Sequence, residues 1–256
     1  MDPGHLLAGQ QMIAWLTGLA LILFMTTQAL AADSLTVAVA ASFKRPFIEI
    51  ARCFEASHPV KVEASFASTG AFFAQIVNGA LYDIFLAADK KRPEILQEKG
   101  LAERPAIYAR GRVVLWTNRE NLCRSGGWRS AIQDAGVRKV AIVSSATSPY
   151  GAAAESALRK EGLWGAVKQR LVYAQDVGQA FQYVYTGAAA AGFCALSDAL
   201  SAVGREGCRF DVTESPPVEH SACVLKRSKN REAARLFLKF LESPEAEIIK
   251  EGYGYR

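Results

Sequence analysis

The sequence predicts an α/β protein whose parallel sheets are covered by helices. Two observations predict it. Short apolar runs alternate with stretches of helical periodicity along most of the chain. Four of these runs end in small or polar residues and pass straight into a helical pattern: Ala40-Ala41-Ser42-Phe43, Ala67-Ser68-Thr69-Gly70, Ser148-Pro149-Tyr150-Gly151 and Gln175-Asp176-Val177-Gly178. The first 31 residues stand apart from this pattern and are treated separately.

Taken in order, Leu35 to Ala40 reads as a strand, and Phe43, Phe47, Ile50, Ala51 and Phe54 then recur at helical spacing. Val60 to Phe66 alternates as a second strand, followed by a helix through Phe73, Ile76 and Val77 that stops at Gly79. Ile84 to Ala88 is a buried strand, and Arg92 to Lys99 a helix closed by Gly100. Val113 to Thr117 and Val140 to Val143 are further strands. Helices run from about Gly151 to Glu161 and from Asp176 to Thr186, each with a glycine behind it. Gly192 to Leu196 and Ser221 to Leu225 are strands. The latter precedes an amphipathic helix bearing Ala234, Leu236, Phe237, Phe240 and Leu241. Ser243-Pro244-Glu245 opens the last helix with a serine cap and proline in its first turn. There is no internal repeat and no low-complexity linker, so two lobes would be joined through strands.

A helix start leaves its first N–H groups unpaired and carries about half a positive charge. It is a ready anion site, and several such ends converging could hold a small anion with no cationic side chain touching it. By themselves, Ser42 and Thr69 read first as ordinary helix caps, Tyr150 as a half-buried packing aromatic, and Asp176 as the cap that orients the N–H of Val177. Lys44 and Arg45 read as a solvated face.

Met12 to Met25 is almost wholly apolar and Ala29-Leu30-Ala31 is a small-x-small cleavage pattern, which reads as a secretory signal peptide over residues 1–31. The run is short for a spanning helix, and its flank carries no Lys or Arg. Without the leader the net charge is +6, spread along the chain with no basic run of the kind that binds nucleic acid. The five cysteines all lie beyond the leader, so at least one is unpaired. Cys53 and Cys194 read as core thiols, and Cys208 with Cys223 as the pair. No Cys/His spacing suggests zinc.

The chain resembles the periplasmic molybdate-binding proteins that feed ATP-driven importers. The resemblance rests on Val37-Ala38-Val39-Ala40-Ala41-Ser42-Phe43, Ser68-Thr69-Gly70, Tyr82-Asp83-Ile84-Phe85-Leu86-Ala87-Ala88-Asp89 and Tyr108-Ala109-Arg110-Gly111-Arg112. It continues through Pro149-Tyr150-Gly151, Asp176-Val177-Gly178-Gln179-Ala180, Gly192-Phe193-Cys194-Ala195-Leu196-Ser197 and Ser243-Pro244-Glu245-Ala246. It implies a two-lobed type II periplasmic binding protein, each lobe a mixed sheet flanked by helices, with the ligand in the cleft. The lobes would comprise residues 32–112 with 226–256, and 113–225. Position by position it puts the ligand contacts on Ser42, Ser68, Thr69, Tyr150 and the backbone N–H of Val177, all to oxygens of molybdate and none to its metal atom. Ala195 stands where some relatives carry a tyrosine.

The resemblance further implies a monomeric, exported receptor that hands molybdate or tungstate to the permease and ATPase subunits of an importer, with no cofactor, no nucleic acid and no catalysis. Molybdate is a dianion with four acceptor oxygens and no proton, so a site built of donors suits it, and such a site disfavours a protonated phosphate. Sulfate matches in charge and differs in size, and is the alternative ligand. An esterase is disfavoured because no G-x-S-x-G elbow surrounds Ser42 or Ser68. An anion-sensing regulator would carry a DNA-binding or membrane-spanning part, and none is evident after the leader.

Overall fold

Alternation along the first strand gives the first lobe a core on each face of its sheet. In the computed structural model, which describes residues 33–256, β1 (Asp33–Ala40) turns Leu35, Val37 and Val39 to one side and Ala38 to the other. The signal peptide expected over 1–31 lies outside the described residues. Helix α1 (Lys44–Ser57) lays Phe47, Ile50 and Phe54 on the first of these faces. β1 runs parallel to β2 (Val60–Ala67) and to β3 (Ile84–Ala87). On the opposite face α2 (Thr69–Val77) and α3 (Lys91–Glu98) bring Phe72, Ile76 and Leu96 against Ala38, Phe85 and Ala87. Gly100, at φ +72°, ends α3 in the left-handed conformation that glycine adopts without cost.

β4 (Ala106–Gly111) passes through Arg112 directly into β5 (Val113–Thr117), which belongs to a second sheet. There follow α4 (Trp128–Gln133), β6 (Val140–Val143), α5 (Pro149–Lys160), β7 (Leu171–Ala174), α6 (Val177–Tyr185), β8 (Ala191–Ala195) and β9 (Cys208–Asp211). This sheet has the order β7-β6-β8-β5-β9, parallel across β7-β6-β8 and antiparallel across β8-β5-β9. Residues 212–217 lead back to β10 (Val218–Val224), which completes the first sheet in the order β2-β1-β3-β10-β4 and runs antiparallel to both neighbours. Helices α7 (Arg231–Phe240) and α8 (Pro244–Gly252) close the first lobe, with Ala234, Phe237 and Ala246 in its core.

The result is the expected pair of mixed sheets flanked by helices, in two lobes. Three readings change. The return to the first lobe falls in 212–217 and not at 225/226, because β10 pairs with β3 and β4. The strands β4, β7 and β9 were not anticipated. β7 and β9 are edge strands with half-exposed faces, so their apolar signal is weak. Cys208 pairs with Cys123 and not with Cys223: β9 carries Cys208 at the edge of the second sheet, while Cys223 lies buried in β10 of the first. Among the described residues no helix is long and apolar enough to cross a membrane.

Candidate functional site

Three of the four junctions are capped helix starts. The Ser68 hydroxyl accepts the Ala71 N–H at 3.3 Å, so Thr69 is the first residue of α2. Thr69 is buried, and its Oγ1 accepts the Ala88 N–H at 3.0 Å, tying the helix start to the end of β3. That bond uses a lone pair and leaves the Thr69 proton available to donate. Ser148 accepts from the Gly151 N–H at 3.4 Å and Pro149 opens α5, which sets Tyr150 in the first turn. Asp176 accepts the Gln179 N–H at 3.0 Å, so Val177 opens α6 with an N–H that has no intrahelical partner.

The first junction is different. Ala41–Phe43 is a 3-10 turn with no side-chain cap. Ser42 is buried, and its carbonyl receives the Tyr255 hydroxyl at 2.6 Å and the Ser197 hydroxyl at 2.8 Å. The Ser42 hydroxyl lies 3.1 Å from Nε2 of His220, which is fully buried in β10. The other ring nitrogen, Nδ1, is 3.1 Å from the carbonyl of Val218. A carbonyl only accepts, so Nδ1 carries a proton. Burial drives the imidazolium down to about 4, the Val218 carbonyl opposing this, so the ring is neutral near pH 7. Nε2 is then the acceptor, and the Ser42 hydroxyl gives its proton to His220.

These pieces meet where the lobes meet. Helix α6 packs against the Ala41–Phe43 turn. The Tyr150 hydroxyl reaches the neighbourhood of the Ser42 and Tyr255 hydroxyls from the second lobe, and its ring lies 5.8 Å from that of His220. The Gly70 N–H, in the first turn of α2, donates to the Thr147 carbonyl at 2.9 Å, directly before the cap of α5. Ala40 and Ala88 of the first lobe share one apolar cluster with Tyr150 and Val177 of the second. Ser42 and Tyr150 are thus brought together, the helix that Val177 opens packs on the turn bearing Ser42, and Ser68 and Thr69 stand where α2 abuts the second lobe.

Tyr150 is the informative side chain. Its residue is 3% exposed, yet among the described residues its hydroxyl has no hydrogen-bond partner. Leaving such a group unpaired costs about 1–3 kcal/mol. Burial, reinforced by the adjacent Tyr255, raises its pKa well above the ordinary value, so it is a neutral donor. Gly111 makes room for it, since a Cβ there would overlap the Tyr150 hydroxyl.

Beside the Ser42 turn a cleft of about 650 Å³ opens between the lobes, lined among others by Ala41, Lys44, Arg45, Asp176, Gly178 and Asp198. Arg45 pairs with Asp198 across it at 3.2 Å, so it bridges the lobes and is not the solvated residue expected. Lys44 lies 5.3 Å over the Phe66 ring. The other oxygen of Asp198 is buried and unpaired among the described residues, and burial outweighs Arg45 in pushing this carboxyl up to about 6. His220, Ser197 and Tyr255 were not expected at this place. The one available signal was a histidine inside an apolar strand, which must find partners once buried, but the sequence does not name them.

A family model described as bacterial extracellular solute-binding protein matches residues 35–256. The chain is 36% identical over 229 residues to a molybdate-binding protein of Azotobacter vinelandii, covering 88% of this chain and 90% of that one. It is 33% identical over 248 residues to a molybdate-binding protein of Rhodobacter capsulatus, covering 96% and 97%. Among solved structures, the Azotobacter vinelandii periplasmic molybdate-binding protein superimposes with a TM-score of 0.82 at 31% identity, over 87% of this chain and 98% of that one. With two mixed sheets, a cleft between them and this degree of likeness along the whole described chain, the protein belongs to the bacterial extracellular solute-binding protein family, among its molybdate-binding members.

Proposed function

We propose that this chain captures molybdate, and tungstate with it, between its two lobes and delivers it to the membrane permease and ATPase subunits of an importer. The lobes are residues 33–111 with 218–256, and 113–211. Ser42, Ser68 and Thr69 contribute from the first, and Tyr150 and the backbone N–H of Val177 from the second. The protein acts in the periplasm as a monomer, exported by its leader, with no covalent chemistry and no cofactor.

What supports the reading above all is the Tyr150 hydroxyl, a buried, neutral, unpartnered donor facing the Ser42 turn from the opposite lobe. A dianion lacking protons of its own would accept from it, from the free proton of Thr69 and from the start of α6. Hydrogen bonds to a charged acceptor are worth about 1.5–3 kcal/mol each. Roughly five to seven of them, less desolvation and ordering, reach micromolar affinity or better. Because donors come from both lobes, ligand favours the closed arrangement over any open one.

A melting series of the mature protein with molybdate, tungstate, sulfate and phosphate tests this. Ligand at a thousandfold over its Kd stabilises by about 4 kcal/mol, a rise of roughly 8–16 °C for a chain of this size. Molybdate and tungstate should produce it. A shift with sulfate or phosphate alone reassigns the ligand.

A further inference from the structure

We propose that His220 is a positioning residue of the oxyanion site: it decides whether the Ser42 hydroxyl donates into the site, and so ties capture of a dianion to the uptake of one proton. The inference rests on the reading of the site as an oxyanion receptor and adds to it a residue and a linkage.

The geometry carries it. The Val218 carbonyl fixes the proton of His220 on Nδ1, and among the described residues the only partner of Nε2 is the Ser42 hydroxyl. While the ring is neutral, that hydroxyl has spent its one proton on Nε2 and turns lone pairs outward. A dianion at Ser42 would meet those lone pairs. Once Nε2 takes a proton from solvent, the ring donates through both nitrogens. The Ser42 oxygen then accepts from Nε2 and, by rotating about Cβ–Oγ, donates its own proton to the oxyanion. One N–H bond forms as one O–H bond of a hydronium ion breaks to leave water, no bond of the oxyanion changes, and one positive charge is placed behind the ligand. The alternative, rotation of Ser42 away from a neutral ring, would strand Nε2 unpaired in a site with no exposure.

The surroundings favour the coupling. The titratable groups facing the ring are Tyr108 from β4, Tyr150 from α5 and Tyr255 from the C-terminus, with ring centroids at 5.7, 5.8 and 5.2 Å, and Phe43 at 6.1 Å. All three phenols are held protonated by burial. Glu219, next to it on β10, is engaged by Lys90 and Arg110 at the surface. Among the described residues no carboxylate therefore stabilises the imidazolium, and an arriving dianion is the charge that does.

Calorimetric titration of the full mature chain with molybdate, between pH 6 and 8 in two buffers of different ionisation enthalpy, tests the linkage. The wild type should take up close to one proton per molybdate in the lower part of this range. Its affinity should fall about tenfold per pH unit until the liganded pKa of His220 is passed. In His220→Gln the side-chain amide offers a donor or an acceptor without exchanging a proton, so the uptake and pH slope that belong to the ring should vanish; Asp198, the other buried group titrating near the cleft, is held constant by making both measurements in an Asp198→Asn background as well. Should the variant not fold, nitrogen-15 spectra of the wild type replace it, since the sequence holds only three histidines. The buried ring should change from the Nδ1–H neutral form to imidazolium when molybdate binds. Molybdate bound with no proton uptake, or with the ring still neutral, overturns the role of His220 while leaving the receptor reading intact. No binding of molybdate at all overturns both.

Discussion

Tyr150 carries a hydroxyl that has left water and has no partner among the described residues. A group in that condition lowers the stability of the free protein and raises its affinity for whatever completes it. Tyr150→Phe separates the two effects by sign. The free variant should be as stable as the wild type or more so, by up to about 1–2 kcal/mol, because the unsatisfied donor is gone. Molybdate affinity should fall about ten- to a hundredfold, because a donor to a charged acceptor is gone with it. Thermal melts with and without molybdate measure both, and a loss of free stability at unchanged affinity would make Tyr150 a packing residue. Tyr150 was legible because Pro149 and Gly151 mark a helix start and because the resemblance covers that motif. His220 was not, since its contact with Ser42 spans 178 residues of sequence.

At the level of elements, strand-to-helix junctions both build the site and close it. In α2 the capping hydroxyl of Ser68 aims the next residues at the opposite lobe, and Gly70 makes the contact, donating to Thr147. A Cβ on Gly70 would lie 2.8 Å from the Thr147 carbonyl oxygen and 2.9 Å from its Cα, closer than side-chain carbons come to backbone. Gly70 has no positive φ, so alanine suits the helix itself and is favoured there by about 0.5–1 kcal/mol. Gly70→Ala should therefore leave the lobes at least as stable but hold them apart. Molybdate affinity should drop at least about tenfold, and scattering with ligand should report a wider molecule than the wild type. Wild-type affinity in this variant would show that the Gly70–Thr147 approach is not part of closure. The caps are local chemistry, and Asp176 reads as one from the sequence; at α2 the cap is Ser68 and not Thr69, and at α5 it is Ser148. The uncapped 3-10 turn at Ser42, with its carbonyl held by Tyr255 and Ser197, depends on residues 213 and 155 positions away.

Across the whole molecule, two buried groups at the meeting of the lobes respond to pH in opposite senses. His220 falls from an ordinary 6.5 to about 4, so the unfolded chain binds its proton more readily. Its contribution to stability is complete above 6.5 and is lost as pH falls towards 4, by about 3 kcal/mol. Asp198 rises from 3.8 to about 6, so the folded chain holds the proton more tightly. Its contribution is complete below 3.8 and is lost as pH rises through 6, by about 1–3 kcal/mol. Between 4 and 6 the two slopes oppose each other. Relative to the wild type, His220→Gln should lose stability as pH rises through this interval, and Asp198→Asn should lose it as pH falls. Denaturant unfolding of the free proteins at pH 4 to 7 reads both, and parallel curves for all three would exclude these groups from the balance.

Alternation of strand and helix, the glycine stops and the serine and aspartate caps follow from the nearest few residues. For that reason the α/β class and the helix starts could be read along the chain, whereas the two lobes followed only from the resemblance its motifs carry. Other features depend on which surfaces fold against each other. These are the return of β10 to the first sheet, the Cys123–Cys208 bridge and the pairing of Ser42 with His220. A strand's partner, a thiol's partner and a hydroxyl's partner are chosen by burial across distances in sequence over which local propensity carries no information, and packing alone made those choices.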